Sequence, residues 1–404
     1  MQPKILTSEN PAPRILLHSH DSYGLGHLRR TLTLAGSLAQ ELPGAQVLIT
    51  SGSACATQFP LPDGVDVVKL PSATKDEDGT LVARSLRMGM PNLLGLRRAI
   101  LAETFRAFQP HVMIVDHQPL GLAKELSEVL ELARRAGTRT ILGLRDIIDS
   151  PDAVAREWGV PAVRQALAEL YDRVLIYGSP EVFDPRVEYP IPAELRERVE
   201  FVGYVVRDGA SRASRPLPAL RPRVLVTVGG GEDGDSRIRA VFDALELAPP
   251  TWDTTLLLGP LMGGDRARAL KRRGRLVDGV TVHTFHADLP RLLAESDAVV
   301  AMAGYNSVAE IMQARVPALL LPRTAPRREQ AIRAERLAGV GLARNLELPD
   351  ARTLRRELEA AIAEREPRGT QPNLRGREGV VRICEELLRA GPIRTGVHNL
   401  QVGT

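Results

Sequence analysis

Val224-Leu225-Val226-Thr227-Val228 runs straight into Gly229-Gly230-Gly231, and apolar residues then recur at helical spacing over residues 237–245. Five apolar or β-branched residues closed by glycines are too short for a buried helix and read as a strand covered on both faces. A second such run follows at 254–258, and two more at Val299-Val300-Ala301 and Ala318-Leu319-Leu320-Leu321, with helical periodicity over 307–313 between them. Parallel strands need crossovers of this kind. The stretch therefore predicts an α/β domain with a parallel sheet.

The same alternation runs upstream. Ile15-Leu16-Leu17 ends in a turn-rich segment at 18–26. Leu28, Leu32, Ala35 and Leu38 then keep a helical period as far as Pro43-Gly44, and Val47-Leu48-Ile49 restarts a strand. A helix is expected at 93–108, a strand at 112–115, a helix at 121–136, and strands at 140–144 and 173–177. The charged segment 75–79 reads as a loop, as does much of 80–89. Between the two series, residues 208–222 cluster Gly, Ser, Arg and Pro and lose apolar periodicity, which marks a linker. The expected organisation is a tail at 1–13, an N-terminal domain at 14–207, the linker at 208–222 and a C-terminal domain at 223–373. A helix at 374–391 that packs back across the domains and a tail at 392–404 complete it.

Composition narrows the function classes. The 404 residues are 44% hydrophobic and 25% charged, an ordinary globular balance. The formal charge is +4, with arginines interspersed among acidic residues, so no basic arm points to nucleic acid. Cys55 and Cys384 stand far apart without a metal-ligand spacing, so neither a disulfide framework nor a zinc site is expected, and a reducing cytoplasm is the expected compartment. No stretch approaches the roughly 18 apolar residues of a spanning helix.

Two α/β domains joined by a linker set a cleft between the carboxyl ends of two sheets, where open α/β folds bind ligands. The loops that follow strands therefore hold the candidate residues. Gly229, Gly230 and Gly231 can cradle an anion on unhindered backbone N–H groups, or merely form a tight βα turn. Gly304-Tyr305-Asn306-Ser307 repeats the arrangement. Ser307 can bond a phosphate there, or pair with Glu310 in a Ser-x-x-Glu capping box. GxxxxGK[ST] does not occur. His27, at the junction of the first loop and its helix, is a candidate general base or a loop-capping polar residue. Asp116, just past a buried strand, is the competing base, or the partner that orients a histidine, or a loop-capping carboxylate.

The ordered set 285–290, 296–300, 303–310, 316–322 and Glu329-Gln330 resembles the C-terminal half of the GT-B glycosyltransferases, in particular the MurG-like, family 28 group. Gly24-Leu25-Gly26-His27 is similar to that group's first glycine loop, and 201–207 to its strand leading into the linker. Ser19-His20-Asp21-Ser22-Tyr23 departs from the family's longer glycine cluster and leaves the acceptor unidentified. The resemblance implies GT-B architecture, that is, two doubly wound Rossmann-like domains facing across a cleft. It also implies a metal-independent, inverting transfer of a hexose or N-acetylhexosamine from a nucleotide-diphosphate sugar, UDP-linked, to an acceptor hydroxyl.

By the same resemblance Gly229–Gly231 and Gly304, Asn306 and Ser307 face the donor diphosphate, and Glu310 accepts from ribose hydroxyls. Phe285 and His286 flank the base, Glu329 and Gln330 reach the sugar, and Gly24, Gly26 and His27 form the acceptor-side loop. No metal and no cofactor beyond the nucleotide-sugar co-substrate are expected. The acceptor is a carbohydrate, a lipid-linked molecule or a small molecule, and peripheral contact with the inner face of a membrane is allowed, with 93–101 and its Arg97 and Arg98 as one surface for it. Two alternatives use the same cleft: a sugar-nucleotide epimerase or hydrolase, and a non-catalytic nucleotide-sugar-binding regulator.

Overall fold

A computed structural model describes residues 12–20, 26–76, 78–209 and 220–391. Gly24, most of the linker, residues 1–11 and the expected tail at 392–404 lie outside the described residues. The N-terminal sheet comprises β1 (Arg14–Ser19), β2 (Gln46–Ser51), β3 (Val65–Lys69), β6 (Val112–Asp116), β7 (Arg139–Arg145), β8 (Arg173–Tyr177) and β9 (Val199–Phe201). Its order is β3-β2-β1-β6-β7-β8-β9, parallel throughout. β4 (Ala73–Lys75) and β5 (Leu81–Ala83) form a separate antiparallel hairpin.

The C-terminal sheet comprises β10 (Arg223–Thr227), β11 (Asp253–Leu257), β12 (Val280–His283), β13 (Ala298–Ala301), β14 (Ala318–Leu320) and β15 (Arg344–Asn345). These run in the order β12-β11-β10-β13-β14-β15, again parallel. β6 and β13 are buried at every position, because helices cover both faces of each sheet. The helix Gly376–Ala390 packs on the helix Gly26–Glu41 and on β6 of the N-terminal sheet. One apolar cluster therefore runs from Ile15 and Leu38 through Val202 and Tyr204 to Tyr305, Val308 and Cys384.

Three expectations are corrected. The segment 75–79 is not a plain loop: it turns the β4–β5 hairpin, and the Asp76 carboxylate closes the turn by accepting from Asp78 N (3.1 Å) and Thr80 N (2.8 Å). The expected helix 121–136 starts only at Ser127, since Gly121 and Ala123 hold positive φ angles of 67° and 47° that α-helix cannot accept. Arg97 offers no membrane surface: it is fully buried, and its guanidinium grips Glu125 at 2.5 and 2.8 Å.

Candidate active site

Each sheet reverses its winding direction once, between β1 and β6 and between β10 and β13. A crevice opens beyond the carboxyl ends of the strands at such a switch point. The loop after β1 leads to His27, and β6 ends in Asp116. Pairing of His18 with Val115 brings the two chain segments side by side. On the facing domain, β10 leads to Gly229–Gly231 and β13 to Gly304. The two halves touch where Asn306 Nδ2 donates to the Gly26 carbonyl at 3.1 Å.

His27 Nδ1 lies 2.5 Å from Asp116 Oδ2. Arg30, one turn further along the same helix, places Nη2 2.5 Å and Nε 3.2 Å from the other carboxylate oxygen. Burial by itself would raise the Asp116 carboxyl, but the Arg30 guanidinium and His27 outweigh it and hold it well below the usual carboxylate range. Arg30 Nη2 also lies 3.0 Å from His27 Nδ1, but an ionised Asp116 can only accept and its contact is the shorter, so the proton is assigned to His27 Nδ1 and the lone pair of the ring to Nε2. Burial lowers His27 to about 4, against the opposing pull of Asp116. His27 is thus a neutral imidazole held by a carboxylate, and Asp116 lies where it can orient the ring.

Two more imidazoles close around it. His20 and His117 have ring centroids 5.3 and 5.0 Å from that of His27, and 5.6 Å from each other. His117 is a non-glycine residue at φ 68°, a conformation that concentrates at functional sites. Burial keeps His20 and His117 well below the ordinary histidine range.

On the C-terminal side, Gly231 (φ 93°) serves the turn itself, because a Cβ there would collide with the Leu258 carbonyl. Gly304 is different. It is the N-cap of the helix Tyr305–Ala314, with φ −67°, ψ 144° and no side-chain cap, and a Cβ would meet nothing within 4 Å. Neither strain nor crowding requires glycine, and Ser or Asp would cap the helix better. Glycine leaves the first-turn N–H groups open to an anion. The Ser307–Glu310 capping box is not formed: the helix begins before Ser307, and Glu310 Oε1 instead pairs with Arg207 at 2.6 and 2.8 Å.

Glu329 and Gln330 start the helix Glu329–Gly339, and both are buried. Glu329 Oε1 pairs with Arg323 Nη2 at 2.6 Å, and Gln330 Oε1 accepts from Arg323 N at 3.2 Å. Arg323 also reaches Asp233 at 3.0 Å, which ties this loop to the glycine loop after β10. Phe285 is 61% exposed, and His286 Nδ1 accepts from Asp288 N at 3.2 Å. Both follow β12, two strands from the switch point, so they are not joined to the His27 cluster.

Four residues that matter had no local signal: Arg30, Arg145, Asp146 and Arg333. Arg333 and Asp146, fully buried, form an ion pair across the domains at 2.7 and 2.9 Å. Arg333 Nη1 also donates to the Ala303 carbonyl at 2.8 Å, beside Gly304. An arginine within a helical pattern reads as surface until the partner domain covers it.

Residues 224–379 match the family model of the glycosyltransferase family 28 C-terminal domain. A UDP-N-acetylglucosamine--N-acetylmuramyl-(pentapeptide) pyrophosphoryl-undecaprenol N-acetylglucosamine transferase of Halorhodospira halophila is 30% identical over 274 residues, 65% of this chain and 66% of that protein. The enzyme of the same name from Haemophilus ducreyi is 24% identical over 269 residues, 63% of this chain and 73% of that protein. Among solved structures, the glycotransferase of kitacinnamycin superposes with a TM-score of 0.62 at 17% identity, covering 95% of this chain and 100% of that one. MurG of Acinetobacter baumannii does so with 0.59 at 15% identity, covering 93% and 99%. The chain is a MurG-like GT-B glycosyltransferase whose C-terminal domain is of the family 28 type.

Proposed function

We propose that this MurG-like GT-B glycosyltransferase moves a hexose or N-acetylhexosamine from a UDP-sugar to an acceptor hydroxyl, with inversion and without a metal. The observation that carries the reading is the opposition of the Asp116-held His27 to the uncapped helix N-terminus at Gly304, joined by the Asn306–Gly26 contact. In this mechanism His27 Nε2 takes the acceptor O–H proton as the oxygen attacks the anomeric carbon. The bond from that carbon to the diphosphate oxygen breaks, and UDP leaves with the electron pair. The amides at Gly304 and the helix dipole stabilise the charge that develops on the leaving group. Asp116 stabilises the imidazolium, as a buried carboxylate does in other base-orienting pairs.

The named relatives use UDP-N-acetylglucosamine and a pyrophosphoryl-undecaprenol-linked acceptor, which supports a UDP donor and a lipid-linked acceptor here. Among the described residues no helix is long and apolar enough to cross a membrane. A cytoplasmic enzyme would then meet such an acceptor peripherally, at the inner face. The half-buried and exposed Leu86, Met88, Met90 and Leu96, flanked by Arg84, Arg87 and Arg98, form a surface suited to it.

Calorimetric titration with UDP, GDP and TDP in chelator tests the donor site. Selective UDP binding is expected, and no binding to any nucleotide overturns the reading. Turnover unaffected by EDTA and a product of inverted anomeric configuration by NMR would support the mechanism. Activity restored only by magnesium, or retention of configuration, would reject it.

A further inference from the structure

Arg145 ends β7 beside the base, and its Nε is buried without a hydrogen-bond partner. The carboxylates around it are committed elsewhere: Asp146 to Arg333, Asp116 to Arg30 and His27, Glu329 to Arg323. Among the described residues, Arg30 and Arg333 thus hold the carboxylates Asp116 and Asp146, and Arg145 is left without a hydrogen-bonded carboxylate of its own. His117, 3% exposed and held at φ 68°, likewise has a buried Nδ1 without a partner. Arg145 lies near enough to His27 and His117 to oppose protonation of both, and Arg327 approaches His117 from the other domain. A half-buried cation whose Nε is sealed off without a partner costs stability, and such a cost persists where a ligand supplies the missing charge.

We propose that Arg145 and His117 form an acceptor subsite that recognises an oxyanion, a carboxylate or phosphate carried by the acceptor close to the hydroxyl that is glycosylated. The subsite rests on the glycosyltransferase reading and specifies its acceptor: the guanidinium fork takes the oxyanion, and the neutral His117 ring adds one donor. The bound charge sets the hydroxyl beside His27 Nε2. Arg145 is a specificity residue in this scheme and takes no part in proton transfer.

The test is calorimetry and thermal unfolding of the full chain, with and without saturating UDP, using benzoate, phenyl phosphate and the neutral benzamide at fixed ionic strength. The wild type is expected to bind at least one of the acids at least tenfold more tightly than the amide. Arg145→Gln should abolish that preference, Arg145→Lys should retain part of it, and both should bind UDP within twofold of wild type. Which acid shows the preference identifies the oxyanion. With a repulsive cation removed, Arg145→Gln should unfold at the same temperature as wild type or higher. Equal binding of acids and amide, an unchanged preference in Arg145→Gln, or a clear fall in its unfolding temperature would overturn the proposal. A tenfold loss of UDP affinity in Arg145→Gln would assign Arg145 to the donor instead. Failure of the wild type to bind UDP while it still prefers the acid would sink the glycosyltransferase reading and leave the oxyanion site standing.

Discussion

Asp146, at the carboxyl end of β7, and Arg333, in the helix Glu329–Gly339, form a fully buried bidentate ion pair that joins the two domains. Tyr204 Oη donates to the same carboxylate at 3.1 Å, and the Tyr204 and Tyr305 rings stack at 5.7 Å. The pair thus connects the segment that follows β9, the N-terminal domain and the turn that leads into the helix Tyr305–Ala314.

Removing either partner strands a buried charge, which typically costs about 3–5 kcal/mol. Asp146→Ala and Arg333→Ala should each lower stability by that order in guanidinium denaturation. The double variant should lose less than the sum of the two. Additive losses would show that the residues do not act as a pair.

His27→Ala should lower kcat by about 10²-fold or more while UDP affinity stays within twofold, since a base acts on the acceptor side. Asp116→Asn should lower kcat comparably, because the amide no longer fixes the Nδ1–H tautomer, and should also destabilise the fold by stranding Arg30. Full turnover in both variants with a confirmed acceptor would reject the assignment.

The acid limb of activity should lie near pH 4, where His27 gains its proton in the folded state, and not near the 6.5 of a free imidazole. Stability follows the same sign. Between about pH 6.5 and 4 the unfolded chain binds a proton at His27 that the folded chain does not, so stability falls as pH drops through that window. His20 and His117, also lowered by burial, add in the same direction. The loss continues below 3.8, where unfolded Asp116 protonates before the folded form does. Denaturation midpoints across pH 3–8 check this, with a shallower slope expected between pH 4 and 6.5 for His27→Gln.

Gly304→Ala should leave the unfolding temperature nearly unchanged, because the backbone there is ordinary and the space is open, yet weaken UDP binding by about tenfold through lost close approach. Gly231→Ala should destabilise outright, since its φ of 93° and the nearby Leu258 carbonyl exclude a side chain. If both variants bound UDP as wild type does, the glycine loops would have no part in donor binding.

The nine inner strands of the two sheets and the strand-end loops bearing His27, Asp116, Gly229–Gly231 and Gly304 were legible in the chain, because buried parallel strands write themselves as short apolar runs and ligand loops follow them, whereas the edge strands β3, β9, β12 and β15 are only partly buried and leave no such run. The β4–β5 hairpin was not, since three-residue strands closed by an Asp76 turn leave no period to read. Local spacing could suggest that Ser307 and Glu310 cap a helix, but only the helix start at Gly304 and the approach of Arg207 assigned their partners. His27 and Asp116 are 89 residues apart, and Asp146 and Arg333 are 187 apart. Hydrophobic periodicity carries local structure and burial, whereas the pairing of charges depends on which loops the sheet order brings together. The sequence by itself therefore determined two parallel-sheet domains and the candidate loops. Only the tertiary structure decided that Asp116 meets His27 and that Arg145 stands beside them without a hydrogen-bonded carboxylate of its own.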